Sequence, residues 1–317
     1  MLYPLKFFPI YMERIWGGTG LKQEFGKEIP GGKIGESWEI SCRKEAMSRV
    51  AIGPLQGKTL AELIRAYGSR LLGTQIPLDR DFPLLLKILD AQDVLSVQVH
   101  PEDEFAAQHE NSTGKCEVWY VLKAKPGGKI IYGLKPGITR KNFSEALRRG
   151  TVEECLNYVE VQAGEVYPVS AGIVHALGAG VMVAEFQQNS DLTYRVFDWN
   201  RLDHEGNPRP LHVDKALQVI DFTSVTPPKI RAGEEERKLL TENAYFSLEM
   251  LKVSGEKQMV SSGKTFLLGM VSKGRGDLVY QGQKFRINYG DSFMIPAGIG
   301  AYSFYGEISV LLGTAKA

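Results

Sequence analysis

A chain of 317 residues, 43% hydrophobic and 24% charged, can bury a substantial core, and because single cores stop growing at roughly 250 to 300 residues, two domains are expected. A net charge of +1 excludes a global field that would draw nucleic acid or an anionic membrane, so the expected partner is a small molecule met by a few placed cations. The 34 glycines and 15 prolines point to many tight turns and a mostly β chain, while Cys42, Cys116 and Cys155, odd in number and without metal-motif spacing, read as reduced thiols.

In chain order, the opening run MLYPLKFFPIYMERIWGG is interrupted by Lys6, Pro9, Glu13 and Arg14 before a signal-peptide core or a span of about 20 apolar residues can form, which predicts a cytoplasmic protein. Up to about residue 80, short strand-like runs surround one helix, Thr59 to Tyr67, with a capping box (Thr59, Glu62) at its start and Gly68 at its end. Apolar β-type runs follow: PLLLKIL from Pro83, VLSVQVH from Val94 and EVWYVLKA from Glu117. Pro101 ends the second of these, and Pro101 to His109 reads as a short acidic helix. A helical stretch from Thr139 to Asn157 breaks at Gly150 and restarts at a capping box of Thr151 and Glu154. A short helical pattern covers Leu211 to Ile220, and TSVTPPKIRAGEEERK reads as a surface linker around residues 223 to 238. From Tyr245 onward, short strands alternate with glycine turns. The expected division is a larger domain at 1–225, with helical segments at about 59–67 and 139–157, and an all-β domain at 239–317.

An internal repeat links the two parts: AGEVYPVSAGIVHAL from Ala163 lies over YGDSFMIPAGIGAYSF from Tyr289. Gly164 aligns with Gly290 and Ala171-Gly172-Ile173 with Ala297-Gly298-Ile299, but the motif ends at His175 in one copy and Ala301 in the other. A duplicated β-barrel that kept its metal ligand in one copy explains this pattern.

Strand alternation sends Leu95, Val97 and Val99 to one face and Ser96, Gln98 and His100 to the other, so one face is apolar and the other is able to bind. Lys115, Glu117 and Trp119 share a face of the next strand. Gln-x-His, a carboxylate on a neighbouring strand and a third ligand on a distant glycine-turn strand make a metal geometry of amide, imidazole and carboxylate donors. Spacing leaves the metal open among zinc, iron and manganese. His109, His204 and His212 fall in polar or turn contexts and read as solvated. Lys87 is the lone charge in LLLKIL, where an unpaired ammonium is costly, so it faces a cavity, an anion or a salt-bridge partner. Arg195 suits bidentate phosphate contact, with a structural pairing to Asp191 or Asp198 as the alternative.

The segments LLLKILDAQDVLSVQVHP, KCEVWYVL and GIVHALGAGVMVAEFQQNSDLTYRVFDW, with YMERIWGG and GESWEIS nearer the start, resemble the type I phosphomannose isomerase (mannose-6-phosphate isomerase) family of the cupin superfamily. The resemblance covers about Pro9 to Trp199, with a shorter C-terminal cupin of the compact bacterial kind. Departures are that the family often has alanine where Gly35 begins GESW and that Cys116 stands at a variable place.

The resemblance implies two cupin-type jelly-roll β-barrels with a small helical insertion, the catalytic one within 1–225 and a metal-free one at 239–317. It implies one Zn2+ per chain held by Gln98, His100, Glu117 and His175, with Gln98 the weakest ligand because a neutral amide also suits binding the substrate or orienting a neighbour. Arg195 is the implied active-site arginine, and Lys87, Lys115 and Glu185 stand out beside it. The implied reaction interconverts mannose 6-phosphate and fructose 6-phosphate through a cis-enediol, with Glu185 or Lys115 as the base and Lys87, Ser96 and Arg195 as substrate contacts. Competing classes are an iron cupin dioxygenase, a non-catalytic sugar-binding cupin and a hydrolytic metalloenzyme. A monomer or weak homo-oligomer is expected.

Overall fold

The computed structural model describes residues 1–203, 205–223, 225–228 and 230–316. Among them strands dominate, as the glycine-rich sequence predicts, forming seven-, five- and six-stranded sheets and a two-stranded pair. No helix among the described residues is long and apolar enough to cross a membrane, and the apolar opening run becomes the Ile10–Gly18 strand. Two compact units share the chain discontinuously: one takes Met1–Ile10, Ser37–Lys87 and Arg231–Ala317, the other Tyr11–Glu36 and Ile88–Ile230.

The seven-stranded sheet runs in the order Ile10–Gly18, Ile34–Ile40, Leu84–Ala91, Val181–Gln188, Glu117–Ala124, Glu165–Val169, Ile230–Arg231. The five-stranded sheet runs Tyr194–Phe197, Val97–Val99, His175–Leu177, Lys129–Leu134, Leu156–Glu160. Each ends in two edge strands, so the expectation of closed jelly-roll barrels is corrected to a cupin-type arrangement of open sheets. One edge of the first sheet, Ile230–Arg231, is only two residues long, and beyond the Tyr194–Phe197 edge of the second the chain turns through left-handed residues. Val97 and Val99, fully buried, send the opposite face of their strand into the core of this unit, which includes Trp119, Val121, Ala216 and Ile220.

Local signals set the helices. Leu60–Tyr67 starts at the Thr59–Glu62 capping box and stops at Gly68, whose φ of 49° continues no helix. Arg140–Arg149 is capped by Thr139 with Asn142 and ends on left-handed Gly150. The expected restart at Thr151 is only a 3-10 turn, Val152–Cys155, without a side-chain cap, and residue 156 already begins a strand. The acidic helix is Asp103–Glu110 and the later short one Val213–Val219. Two strands differ from expectation: Val94 to His100 pairs only over Val97–Val99, and the 223–238 linker contains the Ile230–Arg231 strand and the start of Arg237–Glu242.

In the other unit, Phe246–Val260 pairs along its whole length with Ala301–Ala315, which pairs in turn with Leu267–Tyr280. Phe246, Phe266, Phe293 and Phe304 are fully buried there. The repeat is structural: Gly164 and Gly290 both take left-handed φ, 88° and 83°, before the Glu165–Val169 and Ser292–Ile295 strands. His175 is fully buried while its counterpart Ala301 is exposed. The Gly35 departure also has a cause, since a Cβ there would lie 2.6 Å from the Trp16 ring and 2.7 Å from Arg14 Cβ.

Candidate active site

Register assembles the site from segments far apart in sequence. Gln98 stands opposite His175 on one neighbouring strand and opposite Arg195 on the other, and the two-residue period puts His100 on the same face. On the facing sheet Glu117 and Trp119 pair with Gln187 and Glu185 of Val181–Gln188. The sheets meet where Glu117 reaches across, its Oε2 3.5 Å from His100 Nε2 and its Oε1 3.5 Å from His175 Nε2. Gln98 Nε2 lies 3.2 Å from His175 Nε2.

Backbone carbonyls fix both imidazoles. His100 Nδ1 donates to Leu192 O at 2.9 Å and His175 Nδ1 to Ile173 O at 2.8 Å, so each ring turns an Nε2 lone pair toward Glu117. These residues fit a metal ion. Among the described residues His100 Nε2 and both Glu117 oxygens are buried without a hydrogen bond, and the His100, Glu117 and His175 ligand atoms all lie within 4.8 Å of one another. Ligands about 2.0–2.1 Å from a tetrahedral zinc stand about 3.3–3.4 Å apart, close to the separations seen here. A half-turn of the Gln98 amide would place its oxygen where the nitrogen now faces His175.

Electrostatics agree with a cation. Burial, then Lys115, pushes His100 from 6.5 down to about 3, and burial lowers His175. Both imidazoles are therefore neutral ligands at neutral pH. Burial pushes the Glu117 carboxyl up, but Lys115 and His100 pull it further down, well below the usual carboxylate range. Lys115 Nζ sits 2.9 Å from Glu117 Oε2, an ion pair whose angle is not that of a hydrogen bond. Burial lowers the Lys115 ammonium, yet Glu117, Glu185 and Asp191 outweigh this and raise it. Two buried carboxylates, Glu117 and Glu185, against one ammonium leave a net negative pocket for a divalent ion.

The structure thus brings Gln98, His100, Glu117, His175, Lys115 and Glu185 into one buried site. Glu185 is 2% exposed, and its Oε2 accepts from Trp119 Nε1 at 2.9 Å, while the Trp119 ring stands edge-on to His175 at 5.4 Å. Arg195 is half-buried: its Nη1 donates to Pro210 O, and its Nε has no hydrogen-bond partner among the described residues. Burial and then Arg209 lower its pKa. Ser96 is buried just before the Val97–Val99 strand. Lys87 belongs to the other unit, where its Nζ lies 4.5 Å from the Trp38 ring centroid, a cation–π contact the sequence did not suggest. The cysteines are free thiols, as expected.

His109 is exposed and packs on Phe105, as a solvated histidine would. His204 lies outside the described residues. His212 differs from expectation: its Nδ1 accepts from the Arg195 backbone N–H at 3.2 Å, and its own N–H donates to Arg195 O at 2.7 Å. Gln187 was also missed. Its Nε2 donates to Gln188 O and Ser190 O, leaving a buried Oε1 without a partner. Its position two residues past Glu185 on one strand was the signal available. Asp198 pairs with Arg201 and Arg209, not with Arg195.

Residues 5–121 match a family model for the type I phosphomannose isomerase catalytic domain, and residues 235–313 one for the mannose-6-phosphate isomerase cupin domain. Mannose-6-phosphate isomerase ManA of Bacillus subtilis is 40% identical over 308 residues, spanning 96% of each chain. The mannose-6-phosphate isomerase of Streptococcus mutans is 34% identical over 302 residues, 94% of each. A crystal structure of the Bacillus subtilis mannose 6-phosphate isomerase superposes with a TM-score of 0.90 at 35% identity, covering 98% of this chain and 99% of that one. A mannose 6-phosphate isomerase bound with zinc and yttrium shares the fold, with a TM-score of 0.78 at 15% identity over 100% of both chains.

Proposed function

The chain belongs to the type I phosphomannose isomerase family, and on that premise we propose that it is a zinc-dependent aldose–ketose isomerase interconverting mannose 6-phosphate and fructose 6-phosphate. The observation that carries the reading is the buried His100–Glu117–His175 triangle, in which His100 Nε2 and both Glu117 oxygens have no hydrogen bond among the described residues, beside Lys115 and Glu185. Two neutral imidazoles, a carboxylate and the Gln98 amide suit one zinc per chain with an exchangeable position.

The reaction moves a proton between C2 and C1 through a cis-enediol, so the protein must carry that proton and tolerate charge developing on the adjacent oxygens. Bound zinc supplies Lewis-acid polarisation of those oxygens. We assign the proton transfer to Glu185, whose carboxylate is oriented by the Trp119 indole N–H. Lys115, kept protonated by Glu117, serves as a donor and positive charge beside it rather than as the base. Arg195 offers its Nε, without a partner among the described residues, to the anionic parts of substrate and intermediate, with Ser96 as a further proposed substrate contact.

The reading keeps a catalytic segment at 1–225 and a metal-free cupin at 239–317; the missing ligand at Ala301 and the match over residues 235–313 support the second. Free cysteines support a cytoplasmic protein, taken as a monomer or weak homo-oligomer. A coupled assay of mannose 6-phosphate conversion tests the proposal. Turnover should vanish on chelation and return with zinc. Zinc-independent turnover removes the metal from the reading, and no turnover with zinc restored removes the reaction.

A further inference from the structure

Among the described residues Arg195 keeps a buried Nε unsatisfied, and a carboxylate, Asp198, lies three residues along the chain. Here both Asp198 oxygens are already taken. Arg209 grips it bidentately, Nε to Oδ2 at 2.6 Å and Nη2 to Oδ1 at 2.6 Å, and Arg201 Nη2 adds a third charge-assisted bond to Oδ1 at 2.6 Å.

The backbone between is as constrained as the side chains. Trp199 and Asn200 take left-handed φ values of 57° and 53°, a region a bulky residue such as tryptophan rarely adopts unless its surroundings enforce it. The enforcing contacts are visible. Trp199 Nε1 donates to Leu95 O at 2.7 Å, and Arg201 Nη1 donates to Val94 O. Residues 94 and 95 lead directly into the Val97–Val99 strand, which carries Gln98, the register partner of Arg195. The pairing of these strands shifts between Arg195 and Phe197, so the ladder alone does not carry the register through to the turn.

We propose that Asp198 is a positioning residue: by holding Arg201 and Arg209 in a clamped turn, it fixes the register of Arg195 against Gln98 and leaves the Arg195 guanidinium open for the substrate's anion. The inference rests on the reading of Arg195 given under the proposed function. Asp198 touches neither the ligand residues nor Arg195 by hydrogen bond; it acts through the turn.

Steady-state kinetics with mannose 6-phosphate, alongside zinc content and melting temperature, test this on Asp198→Asn, Arg209→Gln, Arg195→Lys and the doubles that combine each of the first two with Arg195→Lys. Asp198→Asn should lower kcat by about 100-fold, the scale of an ångström-sized misplacement, with KM changing far less and zinc retained. Arg209→Gln, which removes one of two partners, should cost about tenfold. Neither should lower kcat further in the Arg195→Lys background, because the positioned guanidinium is already gone. A purely structural role would instead multiply the losses. Full kcat in Asp198→Asn or Arg209→Gln, or losses that multiply with that of Arg195→Lys, overturns the proposal. Should Asp198→Asn fail to fold, Arg209→Gln and its double decide by the same outcomes. Wild-type turnover in Arg195→Lys overturns the role of Arg195 itself, a separate failure.

Discussion

Replacing Glu117 by glutamine tests the charge balance of the buried site. The side chain is 1% exposed, and Lys115 Nζ stands 2.9 Å from it. Glutamine keeps the volume and removes the charge, leaving an ammonium buried beside a neutral amide. Breaking a buried pair in this way costs about 3–5 kcal/mol. Glu185, which also attracts Lys115, softens the loss toward the lower figure. At about 2 °C per kcal/mol for a chain of this size, the melting temperature of the metal-free protein should fall by about 6 °C. Glu117→Gln combined with Lys115→Met removes the orphaned ammonium and should recover most of that loss while still binding zinc more weakly than the wild type. Thermal denaturation in chelator and metal analysis after dialysis against zinc measure the two effects. An unchanged melting temperature in Glu117→Gln, or an equal drop in the double variant, refutes the pairing argument. Unchanged zinc affinity in Glu117→Gln shows that the carboxylate charge is not needed to hold the metal.

Two further outcomes are expected. His175→Ala should lose the metal, whereas Arg195→Ala and Glu185→Gln should lose turnover and keep it; full zinc in His175→Ala contradicts the ligand assignment. Acidification should destabilise the metal-free protein. Burial holds His100 near 3 and His175 below its ordinary value, so from about 6.5 down toward 3 the unfolded chain binds protons that the native state does not. Stability is thus fully present above about 6.5 and is lost as pH falls, and Glu117, held low by its neighbours, adds a loss of the same sign below 4.5. Denaturant midpoints at pH 7 and pH 5 check this. A higher midpoint at pH 5 would contradict it.

What was legible in the sequence follows from the range of the interactions involved. The capping box at Thr59 and Glu62, the stop at Gly150 and the glycine turns at Gly164 and Gly290 act over four residues or fewer, and each is in the structure. Alternation likewise put Gln98 with His100 and Lys115 with Glu117 on shared faces. Local pattern overreached where tertiary context decided the outcome. Thr151 has the residues of a capping box, but the chain must enter the Leu156–Glu160 strand, so only a 3-10 turn forms.

The sequence by itself determined the mostly β class, the glycine-turn repeat and, through the contrast of His175 with Ala301, which copy carries the histidine of the candidate metal site. Only the tertiary structure decided that the sheets stay open, that Leu192 O and Ile173 O set the imidazole tautomers, that Trp119 orients Glu185, and that Asp198 is taken by Arg201 and Arg209. The physical reason is register. A cap or turn is written in adjacent residues, whereas His100 meets the 192 carbonyl 92 positions away only after strand pairing has chosen which residues stand opposite.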